Sequence, residues 1–281
     1  MDVYTLDQLS LLKTPVVFLL GVFDGVHIGH QYLLSFARAL SRTKGIPTAA
    51  LAFTSSPRAI MGGNVGQSVL TTPTHKRELL ETLGLSILIE APFSPEIQAM
   101  SAERFLQLLE SRCHIDTWVV GSDVGFGRGR SGNRVFLEGS VALREQSALF
   151  IERLSLEGEN VSSTSVRKAL FEGNIEKVSQ LLARPYTFRS SIMNFEQTPY
   201  GYAFLHLERL NMCLPKEGIW KARIIGENGC ALLYIKNDSC VLLSGVQGKK
   251  NREIEVMPEA YVRPAKEGWQ ELLAEEKVLF C

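Results

Sequence analysis

The residue types best suited to chemistry crowd into ten positions, residues 21–30, which read GVFDGVHIGH. His27 and His30 are three apart, so in a first helical turn both imidazoles project the same way. Gly21, Gly25 and Gly29 remove side chains that would keep the backbone away from a ligand. Phe23 and Asp24 complete the stretch. An apolar run leads in and an amphipathic segment leads out, the setting in which helix N-terminal amides meet an anion. Two imidazole donors beside that partly positive end suit a polyphosphate. The same His-x-x-His spacing also fits a metal pair or two surface residues. Asp24 also fits a carboxylate bonded to its own turn.

Two further stretches carry polar chemistry. Residues 161–167, VSSTSVR, offer the hydroxyls of Ser162, Ser163 and Thr164 and the guanidinium of Arg167, all good phosphate partners. Ser163 or Thr164 would equally cap the helix that follows, and Arg167 would equally be a solvated helix residue. Residues 121–130, GSDVGFGRGR, offer Asp123, Phe126 and Arg130, with Phe126 reading equally as core.

The elements around these residues alternate. Residues 16–23 (VVFLLGVF), 48–54 (TAALAFT), 86–90 (SILIE), 117–120 and 148–153 are apolar runs of strand length. Between them, residues 29–42, 75–83, 102–111 and 134–146 have helical periodicity. Unbroken apolar strands bracketed by helices predict a doubly wound α/β fold with a parallel sheet buried on both faces. Two short helices, 163–171 and 175–182, flank Gly173. After Arg184-Pro185 the texture changes to short strands at 202–208, 218–225, 231–236 and 240–244, with turns at Glu227-Asn228-Gly229 and Asn237-Asp238 and a final helix at 268–277. The expected domains are 1–185 and a smaller β-rich 186–281.

Composition narrows the classes. The 281 residues carry 30 Lys+Arg against 30 Asp+Glu and are 45% hydrophobic, an ordinary globular balance. A net charge of +0 argues against bulk nucleic-acid binding. No run approaches the ~18 apolar residues of a membrane span. Asp2 and Asp7 argue against a signal peptide. The 5 cysteines, an odd number with no CxxC, exclude a disulfide framework and a zinc site as expectations. No protein-held metal is expected, and the thiols fit a cytoplasmic location. A loop at Gly62-Gly63-Asn64 with Val65-Gly66 reads as either a lid or an idle surface loop.

These motifs, in this order, resemble the bacterial bifunctional FAD synthetases. That family joins an FMN adenylyltransferase of the HxGH nucleotidylyltransferase superfamily to a riboflavin kinase. His27-x-Gly29-His30 resembles the HxGH signature, and residues 53–58 (FTSSPR) resemble FxPxPR, with Ser56 replacing a usual histidine. Residues 70–84 (LTTPTHKRELLETLG), 121–130 and 161–167 resemble the family's helix start, its GxDFxFGxxR loop and its SSTxxR motif. Val124 replaces the first aromatic of that loop. Arg184-Pro185-Tyr186 resembles the junction between domains. The resemblance implies a Rossmann-like domain followed by a small β-barrel with a C-terminal helix. It implies ATP-dependent adenylyl transfer to FMN, giving FAD and pyrophosphate, with Mg²⁺. His27 and His30 would stabilise the leaving pyrophosphate, Asp24 would orient substrate or Mg²⁺, and Asp123, Phe126 and Arg130 would form a nucleotide or flavin wall.

The second half departs from the family. Residues 215–220 (PKEGIW) resemble a family strand, as does Gly245-Val246. Glu253, in 253–256 (EIEV), takes the position of the kinase's general base, although an exposed strand glutamate reads as well. The family's GxPTAN is matched by residues 201–206, GYAFLH, so Phe204 stands for the threonine and His206 for the asparagine. The preceding residues 197–200 (QTPY) lack the glycines of a phosphate loop. An aromatic ring cannot ligate Mg²⁺. Adenylyl transfer alone is therefore the expected activity. The full bifunctional enzyme and a non-catalytic flavin-binding protein are the alternatives, and other HxGH enzymes fit the later motifs less well. The expected partners are small molecules, with oligomeric state left open.

Overall fold

The computed structural model describes residues 1–54, 68–198, 202–207, 212–237, 239–245, 249–265, 268 and 272. The FxPxPR-like segment beyond Thr54, the Gly62–66 loop, Pro199 to Gly201, Val246 and most of the expected final helix lie outside the described residues. The chain clusters into two compact units, Met1–Gln67 with Pro73–Ser162, and Ser68–Thr72 with Ser163–Cys281.

The first unit is built on six parallel strands: β1 (Asp2–Thr5), β2 (Leu12–Gly21), β3 (Thr48–Phe53), β4 (Ile87–Ala91), β5 (Cys113–Gly121) and β6 (Ser147–Ile151). Their order is β1-β4-β3-β2-β5-β6. The helices are α1 (Ile28–Lys44), α2 (Pro73–Thr82), α3 (Pro95–Ala99), α4 (Ala102–Glu110) and α5 (Arg134–Leu143). Alternation along the strands feeds two cores. Val16, Phe18, Leu51 and Trp118 face Phe105 and Leu109 of α4 and Leu137 of α5. Val17, Leu19, Ala50 and Val119 face Leu34 and Ala37 of α1 and Leu80 of α2. A sheet covered on both faces explains why its strands read as continuous apolar runs. A two-stranded ribbon, β7 (Ser155–Leu156) with β8 (Glu159–Asn160), follows β6.

Strand β2 starts earlier than the apolar run, because its pairing with β5 shifts register between Leu12 and Val16. That irregularity accommodates Pro15, which has no N–H for a ladder. Side chains cap three helix starts here: Ser94 accepts from Ile97 N, Ser101 from Arg104 N, and Asn133 from Phe136 N.

The second unit contains α6 (Ser163–Glu172), α7 (Ile175–Leu182) and a closed antiparallel barrel. Its strands are β9 (Phe188–Gln197), β10 (Ala203–Leu207), β11 (Gly218–Ile224), β12 (Ala231–Lys236), β13 (Ser239–Ser244) and β14 (Glu253–Arg263), closed in the order β10-β13-β12-β11-β14-β9. Phe204, Ile219, Leu232, Tyr234, Val241, Leu243 and Leu272 pack together as a core. The fold is thus a parallel Rossmann-like α/β sheet followed by an antiparallel β-rich barrel. Strand β9 has no counterpart in the sequence expectation, and β14 runs past the expected 253–256 to Arg263. Pro258 interrupts the pattern of β14, and the β11–β14 register shifts twice to absorb the irregularity.

Candidate active site

Strands β2 and β5 are neighbours, and the sheet grows outward in opposite directions from them. Their carboxyl ends therefore bound the switch-point crevice where open α/β sheets take ligands. The chain leaves β2 through a strained reversal. Phe23 has φ 52°, Gly25 φ 76° and Val26 φ 42°, and His27 is extended at the N-cap of α1. Gly25 accepts such a φ freely, whereas Phe23 and Val26 do so against steric preference. Both are buried, and their packing holds the conformation. Gln31 Nε2 also donates to Val26 O at 3.0 Å. Strain held this way on non-glycine residues is a mark of functional sites.

The reversal brings His27 and His30 face to face. Their ring centroids are 3.7 Å apart and their planes differ by 18°. The Phe23 ring is tilted against His30, with centroids 5.1 Å apart. Gly29 makes the stack possible, because a Cβ there would stand 3.1 Å from Cε1 and Nδ1 of His27 and 3.8 Å from Val161. His27 makes no side-chain cap bond to α1. The first amides of α1 are thus left without the capping side chain that α3, α4 and α5 have. His30 Nδ1 is out of solvent and has no hydrogen-bond partner among the described residues. Burial, then His27, then Lys76 hold the His30 pKa well below its ordinary 6.5. The resting ring is a neutral imidazole that can donate one N–H to phosphate.

Asp24 is buried in the short 3-10 turn before His27, and its charge acts on Lys76. The sequence reading does not single out Lys76. Its Nζ donates to Val22 O and to Phe53 O, each at 3.0 Å. A signal existed: Lys76 falls on the same helical stripe as Leu79, Leu80 and Leu83, where a lysine is out of pattern.

At the end of β5, Asp123 pairs with Arg153, and Arg130 donates to Asp123 O at 2.8 Å. The bond from Arg153 is the main reason that the Asp123 carboxyl titrates below the ordinary range. Phe126 stands apart from this polar cluster. It is buried against Phe105 at 5.5 Å and Phe136 at 6.1 Å, in the core beneath α4 and α5.

The SSTxxR residues straddle the two units. Val161 and Ser162 end the first, with Val161 against Gly29. Ser163 and Thr164 open α6 in the second, where Arg167 Nε donates to Ser68 O at 3.0 Å. Glu253 begins β14 on the barrel and is exposed. Phe204 is in the barrel core, and His206 Nε2 lies 3.2 Å from Glu196. Among the described residues no group of three or more His, Cys, Asp or Glu could hold a metal ion, and no helix is long and apolar enough to cross a membrane.

The family model for FAD synthetase matches residues 10–165, more than half of the 281. The chain belongs to the FAD synthetase family. It is an enzyme of the FMN adenylyltransferase type, of the nucleotidylyltransferase superfamily, and its family places it in FAD biosynthesis. Family membership implies catalysis that depends on ATP and FMN.

Its curated relatives are named bifunctional riboflavin kinase/FMN adenylyltransferases. The protein from Listeria monocytogenes is 28% identical over 226 residues, covering 78% of this chain and 71% of the relative. The one from Buchnera aphidicola is 29% identical over 177 residues, covering 62% and 57%. The one from Bacillus subtilis is 26% identical over 217 residues, covering 75% and 68%. Among solved structures, that of a macrolide-efflux protein from Streptococcus pneumoniae superposes with a TM-score of 0.82 at 18% identity, covering 100% of this chain and 98% of that one. At that identity the likeness is one of fold.

Proposed function

We propose that this FAD synthetase transfers the adenylyl group of ATP to FMN. A phosphate oxygen of FMN attacks the α-phosphorus of ATP, a new P–O bond forms, and the α–β bridge breaks with its electron pair leaving on pyrophosphate. FMN needs no protein nucleophile, because a phosphomonoester with a second pKa of about 6 is largely dianionic at neutral pH. The protein's task is positioning and charge stabilisation. The observation that carries the reading is the stacked imidazole pair at the start of α1, beside the switch point of a parallel sheet. In this reading His27 and His30 donate to the phosphates and steady the charge that grows on the leaving pyrophosphate. Ser162, Ser163, Thr164 and Arg167 serve the triphosphate. Asp123 and Arg130 shape the nucleotide or flavin wall, with Phe126 supporting it from the core. Mg²⁺ enters as part of the substrate, bound to the triphosphate, as suits an ion that usually keeps phosphate and water ligands.

The same residues argue that this chain does not phosphorylate riboflavin. The Phe204 ring is committed to the barrel core and offers no oxygen to a cation. One assay tests both statements. Purified protein is incubated with ATP and Mg²⁺, once with FMN and once with riboflavin, and the flavins are separated. FAD from FMN alone is the expected result. FMN or FAD from riboflavin refutes the argument from Phe204. No product in either tube replaces the enzyme reading with that of a flavin-binding protein.

A further inference from the structure

We infer that Lys76 is a positioning residue for adenylyl transfer: its ammonium ties together the carbonyls at the ends of β2 and β3 and so holds the reversal that carries His27 and His30. The inference rests on the adenylyl-transfer reading above. Lys76 projects from the first turn of α2 and is only 6% exposed. Its two acceptors, Val22 O and Phe53 O, lie where neighbouring parallel strands run out of ladder. Val22 directly precedes Phe23, the first residue of the strained turn, and Gln31 holds the last, Val26. Side-chain donors therefore grip the reversal at both ends. The third N–H of Lys76 donates to none of the described residues.

The titratable groups that face this ammonium come from three elements. Asp24 belongs to the turn itself, Glu90 to β4, and His30 to α1. Glu90 is already engaged by Arg77, whose Nε donates to it at 2.9 Å. Burying a cation is unfavourable, and a methionine would fill similar volume without that cost. Burial alone pulls the Lys76 pKa down, while Asp24 and Glu90 oppose the fall. The nearby cation also discourages protonation of His30. That keeps an N–H donor ready without fixing a charge in the resting crevice.

The test uses Lys76→Gln, which keeps a donor, and Lys76→Met, which keeps volume. Three readings are taken: thermal unfolding, kcat and KM for FAD formation from FMN and ATP, and the NMR titration of the His30 ring without ligands. A folded variant is expected to lose about 10²-fold in kcat, the scale of a misplaced catalytic group, with a smaller change in KM for ATP. Its His30 midpoint is expected to rise, because a neighbouring positive charge has gone. A purely structural lysine would lower the melting temperature and leave kcat in the folded variant near that of wild type. A folded variant with kcat within twofold of wild type overturns the inference, and an unmoved midpoint overturns the placing of the ammonium beside His30. If neither variant folds, Lys76→Arg, which keeps the charge but moves the donors away from the two carbonyls, is read the same way: a fall in kcat of about tenfold or more supports the inference and a kcat within twofold of wild type overturns it. A wild-type protein that makes no FAD overturns the reading of function, whereas an active wild type with an equally active, folded Lys76 variant overturns the inference alone.

Discussion

The ring of His27 folds back over the α-carbon of Gly29, so that a methyl group there would stand 3.1 Å from two of its atoms. Few real contacts are that tight, and the ring would have to shift by a few tenths of an ångström to relieve it.

Gly29→Ala therefore separates stability from activity. Alanine favours an α-helix over glycine by about 1 kcal/mol, so the melting temperature should hold or rise. The displaced imidazole should nevertheless cut FAD formation about tenfold or more. A variant as active as wild type would remove the stack from the mechanism.

His30→Ala should lower adenylyl transfer by about 10²-fold or more, the usual cost of losing one donor to developing charge. Circular dichroism confirms that the variant is folded. An unchanged rate would dismiss His30.

The same ring should make the fold sensitive to acid. The folded-state pKa of His30 is below the ordinary 6.5, so under that pH the unfolded chain takes up a proton that the folded chain does not. Stability is then lost as the pH falls from 6.5 towards the folded-state value, by at most about 1.4 kcal/mol per pH unit for one proton. Above 6.5 the group is neutral in both states and contributes no slope. Melting curves of wild type and His30→Asn should diverge only on the acid side. Parallel curves throughout would contradict a neutral His30 ring in the folded state.

Asp123→Asn breaks an ion pair whose partners are both close to half exposed. Such a pair is worth about 0–1 kcal/mol, so unfolding should barely change. A fall in FAD formation in this variant would then report on substrate handling. Unaltered kcat and KM would confine Asp123 to the surface.

Phe126→Ala should behave in the opposite way. Its ring fills the core beside Phe105 and Phe136, and truncating such a residue costs about 3–5 kcal/mol. Denaturant unfolding measures the loss. A loss below about 1 kcal/mol would show that the ring is not packed as described.

The sheet was legible where the physics is uniform. Residues 16–21 are covered on both faces and read as a strand from their apolar content alone. By contrast β1, with all four residues exposed at the sheet's edge, has no hydrophobic signature. The histidine pair was legible because its spacing is local. Its stacking was not, since it depends on φ values at Phe23 and Val26 that no residue type announces. Arg153 lies 30 positions from Asp123, and only the adjacency of β5 and β6 brings the two together. Lys76 was overlooked because a lysine on a helix ordinarily faces water.

The pairing of β1 has a bearing on how this protein is made. Asp2 is registered with Ile87, so β1 has no partner until β4 has left the ribosome. At ordinary synthesis speeds of about 5–20 residues per second, that wait is on the order of ten seconds. The parallel crossover from β2 through α1 to β3 needs no such delay. The segment bearing the imidazoles is thus expected to condense early in translation, with β1 docking afterwards as a late addition to a nascent sheet.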